Sequence, residues 1–170
     1  MTVPIRLRLN GQHREIEVAP TETMQSVLRW RCGLSSVRST CGIGVCGACT
    51  VLLDGAAVSS CLLLAPLADG RAVDTVEGLA RDDPVVEAFV AQNAFQCSYC
   101  TPGLVIATRG LLALHPDPTD EQVRAHLAGN LCRCGGYYAI LAAVRDAADR
   151  LSRSPQRRNS SLGRVFFLRP

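Results

Sequence analysis

Cys41-Gly42-Ile43-Gly44-Val45-Cys46-Gly47-Ala48-Cys49-Thr50 spaces three cysteines as Cys-x4-Cys-x2-Cys, and a further cysteine, Cys61, follows. This is the ligand spacing of a [2Fe-2S] loop with its last ligand more distant in the chain. A loop that wraps such a cluster must bring backbone N–H groups close to sulfur. The interspersed glycines permit the left-handed conformations and close approach that this needs. Zinc is the competing reading, but all-cysteine zinc sites usually pair their ligands as Cys-x2-Cys, and this set lacks that pairing.

Upstream of the loop the chain reads as strands. Ile5, Leu7 and Leu9 alternate with polar residues, Asn10-Gly11 signals a type I′ hairpin, and Ile16 and Val18 alternate on the return. Thr23 caps a short helix that carries Met24, Val27 and Leu28 on one face, and Gly33 ends it. Downstream, Thr50 to Leu53 is a strand, Asp54-Gly55 a second hairpin turn, Val58 to Leu64 the return, and Arg71 to Val76 a last strand. A small mixed sheet crossed by one helix is expected.

Past Gly78 the pattern switches to helices. Asp83-Pro84 is an N-cap with proline at the first helical position, opening a helix to about residue 93. Thr101-Pro102 repeats the signal, and His115-Pro116 closes that helix near Leu114. Thr119 to Gln122 is a capping box for a third helix ended by Gly129, and Gly136 to Leu151 is the fourth. The expected division is therefore residues 1–78, residues 79–151 and a tail at 152–170.

A second cysteine set lies in this helical half. Cys97 and Cys100 precede one helix, and Cys132 and Cys134 precede another. Positive helix ends converge there and stabilise thiolates or an anionic cluster. On spacing alone this set suits zinc as well as iron and sulfide. Two complete sets in one short chain point to electron transfer.

The composition agrees. Of 170 residues, 48% are apolar but only 5% aromatic, a core that a metal staple would reinforce. No apolar run nears the ~18 residues of a membrane span. The first ten residues alternate polarity, unlike a secretory signal, so a cytoplasmic location is expected, where clustered cysteines bind metal more often than they pair. The net charge of +3 is uneven: residues 151–170 carry five arginines and no acid. Such a tail reads as solvated and disordered. Nothing basic or aromatic elsewhere supports nucleic-acid binding.

Three motifs in order carry a family resemblance. They are the Cys41–Thr50 loop, Gln96-Cys97-Ser98-Tyr99-Cys100-Thr101-Pro102-Gly103, and Gly129-Asn130-Leu131-Cys132-Arg133-Cys134-Gly135-Gly136-Tyr137. Together they resemble the iron-sulfur subunit of molybdenum hydroxylases, the xanthine dehydrogenase and aerobic carbon monoxide dehydrogenase family, over roughly residues 3–150. The resemblance implies an α+β chain: an N-terminal β-grasp plant-type ferredoxin domain, then a C-terminal four-helix bundle. It implies a distal [2Fe-2S] cluster on Cys41, Cys46, Cys49 and Cys61, and a proximal one on Cys97, Cys100, Cys132 and Cys134. It places Gln96 and Cys134 against the pterin. It implies a large molybdopterin-binding partner subunit, and FAD in a medium subunit or another acceptor. Ile43, Val45, Ser98 and Gly135 depart from the usual family residues, and none of them removes a ligand. The alternatives are a stand-alone ferredoxin and a zinc-binding structural module.

The remaining candidates read blandly. Cys32, the ninth cysteine, reads as a core or partly buried thiol. His13, His115 and His126 share no ligand spacing. No paired carboxylates, Ser/His/Asp set or phosphate-binding loop occurs, so the chain carries no substrate chemistry of its own.

Overall fold

The computed structural model describes residues 1–153. The reading of a disordered arginine-rich tail falls almost wholly outside the described residues. Strands β1 (Val3–Leu9), β2 (Gln12–Val18), β3 (Thr50–Leu53), β4 (Ala56–Ser59) and β5 (Ala72–Asp74) form one mixed sheet in the order β2-β1-β5-β3-β4. The β1–β5 pair is parallel and the other pairs are antiparallel.

Both hairpins close where the sequence places them. Asn10 and Gly11 have φ of 49° and 80°, and Asp54 and Gly55 have 50° and 85°, the paired left-handed residues of a type I′ turn. The first turn sets Leu9 opposite Gln12, which directs Ile5, Leu7 and Leu9 to the buried face of β1. A helix α1 (Met24–Ser26) follows, capped by the Thr23 hydroxyl, which accepts from Ser26 N–H. It widens at once into a π-helical turn over Val27–Arg31. The apolar spacing predicted a helix here but carried no sign of the wider turn. Met24, Val27 and Leu28 pack on the sheet with Ile5, Leu7, Val18, Val51 and Val73 in a first core.

The return strand is shorter than expected. β4 ends at Ser59, and Ser60 to Leu63 turn away because Ser60 Oγ donates to Cys49 O and Leu63 O accepts from Met24 N–H. Those bonds tie the Cys61 segment to the cysteine loop and to α1 instead of to a sheet partner.

Four helices follow: α2 (Pro84–Ala91), α3 (Thr101–Leu114), α4 (Asp120–Leu127) and α5 (Tyr137–Arg153). Asp83 caps α2 by accepting from Val85 N–H, and Thr119 and Gln122 make both bonds of the capping box on α4. Helix α5 runs two residues beyond the expected Leu151. The helices enclose a second core centred on Phe89, Leu104, Leu111, Ile140 and Val144.

The two cores meet at α3 and β3. Val51, Leu52 and Leu53 are all buried, against the alternation of a half-exposed strand, because Leu52 points to the opposite face and lies against Gly110 of α3. Among the described residues no helix is long and apolar enough to cross a membrane.

Candidate metal centres

The first centre is built on a loop whose amide hydrogens turn inward. Cys41 Sγ receives the N–H groups of Ile43 and Cys46 and a further bond from the Cys46 thiol; these hold its pKa down to about 6. Cys61 has the opposite fate. Burial, a bond to the Cys49 thiol and repulsion from neighbouring sulfurs push it up to about 11, although Gly44 N–H also reaches it. The loop closes only because Gly44 and Gly47 are glycines, with φ of 75° and 67°. A side chain at Gly44 would strike Leu62, and one at Gly47 would strike Asn130 and the Gly129 carbonyl.

The second centre gathers the remaining four sulfurs from two chain segments. Cys97, lowered chiefly by Tyr99 N–H, accepts from the Cys134 thiol. Cys100 is raised to about 12 by burial and by its bond to Cys132. Cys132 is lowered despite burial, because Gly136 N–H and the Cys100 thiol point at it. Ser98 takes φ 61°, a left-handed conformation that costs a side chain about 1–2 kcal/mol. The usual glycine of the family pattern would adopt it freely.

In both centres the thiols contact one another two by two: Cys41 with Cys46, Cys49 with Cys61, Cys97 with Cys134, and Cys100 with Cys132. Two sulfur pairs side by side suit an elongated two-iron cluster, whereas a tetrahedral zinc ion draws all four ligands to one centre. Sulfurs held this close repel as thiolates, and a bound positive iron core would relieve that repulsion. Each centre also has an outer and an inner side. Cys49 and Cys61 are buried behind Cys41 and Cys46, while Cys97 and Cys134 are exposed in front of Cys100 and Cys132. Gln96 is exposed beside Cys97.

Cys32 stands apart from both sets. It is half-buried, caps the π-helical turn through its N–H bond to Val27 O, and packs on the sheet core. Replacing it with serine is expected to leave iron content and both cluster signals unchanged; loss of a signal would show the ligand sets to be drawn wrongly.

Two residues that join the centres were missed by the reading of ligand spacing. The Tyr99 hydroxyl donates to Ser39 O, near Cys41, and the Arg38 guanidinium lies 5.1 Å from its ring. Asn130 is buried, and its amide reaches Gly47 O across the seam. The position of Tyr99 between two cysteines was the available signal for the first contact. For Asn130 the sign was its place in the Gly129–Tyr137 motif, which carried no hint of a partner across the seam.

Comparison with known proteins agrees with this geometry. Residues 7–80 match the family model of the 2Fe-2S iron-sulfur cluster binding domain, and residues 75–145 match that of the [2Fe-2S] binding domain. The chain is 44% identical over 151 residues to the nicotinate dehydrogenase small FeS subunit of Eubacterium barkeri, covering 87% of this chain and 96% of that one. It is 42% identical over 150 residues to the xanthine dehydrogenase iron-sulfur-binding subunit of Escherichia coli O157:H7, covering 85% and 94%. Among solved structures, a chain of quinoline 2-oxidoreductase from Pseudomonas putida 86 superposes with a TM-score of 0.84 at 38% identity, covering 89% of this chain and 97% of that one. Two linked cluster-binding domains and likeness to such subunits over more than four fifths of the chain lead to one conclusion: the chain belongs to the family of iron-sulfur subunits of molybdenum hydroxylases.

Proposed function

We propose that Cys41, Cys46, Cys49 and Cys61 hold one [2Fe-2S] cluster and Cys97, Cys100, Cys132 and Cys134 the other, each contacting thiol pair serving one iron. The observation that carries this is the two-by-two contact of the sulfurs in both centres. Bound clusters would supply one-electron storage at two points in the chain. The protein's own residues gather the sulfurs, lower the proton affinity of Cys41, Cys97 and Cys132 with backbone N–H groups, and bury the inner ligands. The purified protein should contain about four iron and four acid-labile sulfide per chain. Stoichiometric zinc with iron near zero would overturn the assignment.

The proposed domain plan is a β-grasp ferredoxin-type domain over residues 1–78 and a four-helix bundle over 79–151, supported by the two separate apolar cores. The proposed setting is a cytoplasmic complex. A large molybdopterin-binding subunit donates electrons to the helical-domain centre, and the sheet-domain centre passes them to FAD in a medium subunit or to another acceptor. The exposed Cys97–Cys134 edge supports this orientation, since a centre that receives electrons from a neighbour must lie at the surface.

Gln96 at that edge would hydrogen-bond the pterin. A net bond of this kind is worth about 1 kcal/mol. Gln96→Ala should therefore slow reduction of the helical-domain centre by substrate in the reconstituted complex, followed by stopped flow, with little loss of iron. Unchanged reduction, or crosslinks that place residues 96 and 134 far from the large subunit, would count against it.

A further inference from the structure

The ligand loops of the two centres touch directly. Leu131 N–H donates to Cys46 O at 2.9 Å. Cys46 belongs to the first sulfur set, and Leu131 is bonded to Cys132 of the second. One hydrogen bond and one intervening residue therefore join a sulfur-bearing residue of each centre. A second link runs through Tyr99, whose hydroxyl donates to Ser39 O at 3.1 Å and accepts from Thr40 Oγ1 at 3.3 Å. That route runs through a whole phenol side chain and the Thr40 hydroxyl before it reaches Cys41, and Tyr99 is exposed.

The Leu131–Cys46 bond is held in place by its neighbours. Gly47 O, next along from Cys46, accepts from Thr50 Oγ1 at 2.7 Å and from Asn130 Nδ2 at 3.1 Å. Asn130 Nδ2 also donates to Thr50 Oγ1 at 3.2 Å. The Thr50 hydroxyl spends its proton on Gly47 O, so it is an acceptor toward Asn130, and this fixes the orientation of the amide. Asn130 is 7% exposed, so these bonds face little competition from water. Gly103, in the first turn of α3, lets the Gly47 carbonyl settle where any side chain would collide with it.

We propose that Asn130 is a positioning residue for electron transfer between the two centres: its buried amide clamps Gly47 and Thr50 and so keeps the Leu131 N–H···O=C Cys46 link made, and that link is the route the electron takes. One electron leaves the helical-domain centre, which is oxidised, and arrives at the sheet-domain centre, which is reduced. No proton or atom moves. The inference rests on the ligand sets proposed above. Asn130 touches no sulfur, so its role is to set the gap and alignment across the seam, on which tunnelling depends steeply.

The test compares holoprotein carrying the natural residue with Asn130→Asp and with the milder Thr50→Val. Aspartate keeps the shape but sets a carboxylate oxygen against Gly47 O, which turns the clamp into a repulsion. Valine removes one of the two acceptors of the clamp. Three readings are taken: hydrogen exchange of the peptide containing Leu131, the magnetic splitting between the two reduced centres in EPR, and the rate of inter-centre electron transfer after pulse reduction. In Asn130→Asp, exchange at Leu131 should quicken by about tenfold or more, equivalent to about 1.4 kcal/mol. The magnetic splitting should shrink and the transfer rate should fall several-fold beyond what the measured change in the two reduction potentials accounts for, since a buried carboxylate also shifts those potentials, with iron content unchanged. Thr50→Val should shift all three in the same direction by less.

An unchanged rate in a variant whose Leu131 amide exchanges faster would overturn the proposed route. So would a rate that falls in Tyr99→Phe and holds in Asn130→Asp. If the unaltered protein lacked two distinct EPR signals, the ligand assignment itself would fail, an outcome visible before any variant is made.

Discussion

Cys46→Ser is expected to abolish one of two [2Fe-2S] EPR signals and to remove roughly half of the iron, leaving the second signal in place; Cys100→Ser is expected to do the reverse. The physical ground is the separation of the two centres. Cys46 is bound in contact with Cys41 on a loop anchored to the sheet core, whereas Cys100 contacts Cys132 and packs against the helical core. A serine hydroxyl gives up its proton far less readily than a thiol and is a poorer, harder ligand for a sulfide-bridged iron pair. The signal that survives in Cys46→Ser should show a small change in line shape, because the Cys46 carbonyl accepts from Leu131 beside the other centre. The checks are EPR of the dithionite-reduced protein, iron assay, and circular dichroism to establish that the chain remains folded. Loss of both signals from a folded variant would overturn the assignment of one ligand set to each half.

The second large effect is expected at the seam. Gly47→Ala should destabilise the protein by about 3 kcal/mol. Left-handed backbone at φ 67° contributes about 1–2 kcal/mol once a side chain is present, and overpacking contributes about 1–3 more. The new methyl would meet the Gly129 carbonyl, which is backbone and cannot swing aside, as well as the Asn130 amide. Gly103→Ala should cost about 1–3 kcal/mol despite the high helix propensity of alanine, because its methyl meets the Gly47 carbonyl. The two substitutions disturb one contact, so the double variant should lose less than the sum. A shift of the denaturant midpoint at constant slope measures each cost. Strictly additive losses, or a loss well below 1 kcal/mol for Gly47→Ala, would show that the seam yields more readily than its geometry implies.

Much of this chain was legible residue by residue because local chemistry decides those parts. Asn-Gly and Asp-Gly can hold the two left-handed residues of a tight hairpin, and both hairpins lie where these pairs occur. Asp83-Pro84 and the Thr119–Gln122 box mark the starts of α2 and α4 to the residue, since each rests on a bond within one turn, whereas α3 starts one residue earlier than the Thr101-Pro102 signal places it, with Cys100 as its N-cap and no side-chain cap. The eight clustered cysteines divide into two sets by spacing alone. The misplaced elements are those in which distant residues take over the local signal. The return strand stops at Ser59 because Cys49 and Met24 claim the next backbone groups, and the π-helical turn at Val27–Arg31 has no mark in its apolar spacing.

Sequence alone grouped the cysteines into two sets of four and, through three motifs, pointed to the family, because sulfur spacing and glycine placement are properties of short segments. Only tertiary structure decided which sulfurs pair, which face outward, and how the centres are joined. Asn130 and Gly47 are 83 positions apart, and no local rule links an asparagine after a helix to a carbonyl between two cysteines. They meet because α3 packs on β3 and brings two separately capped loops together, and the glycines at 47 and 103 leave room for the approach. Contacts of that kind belong to the packing of whole elements, and they become visible only once the chain has folded.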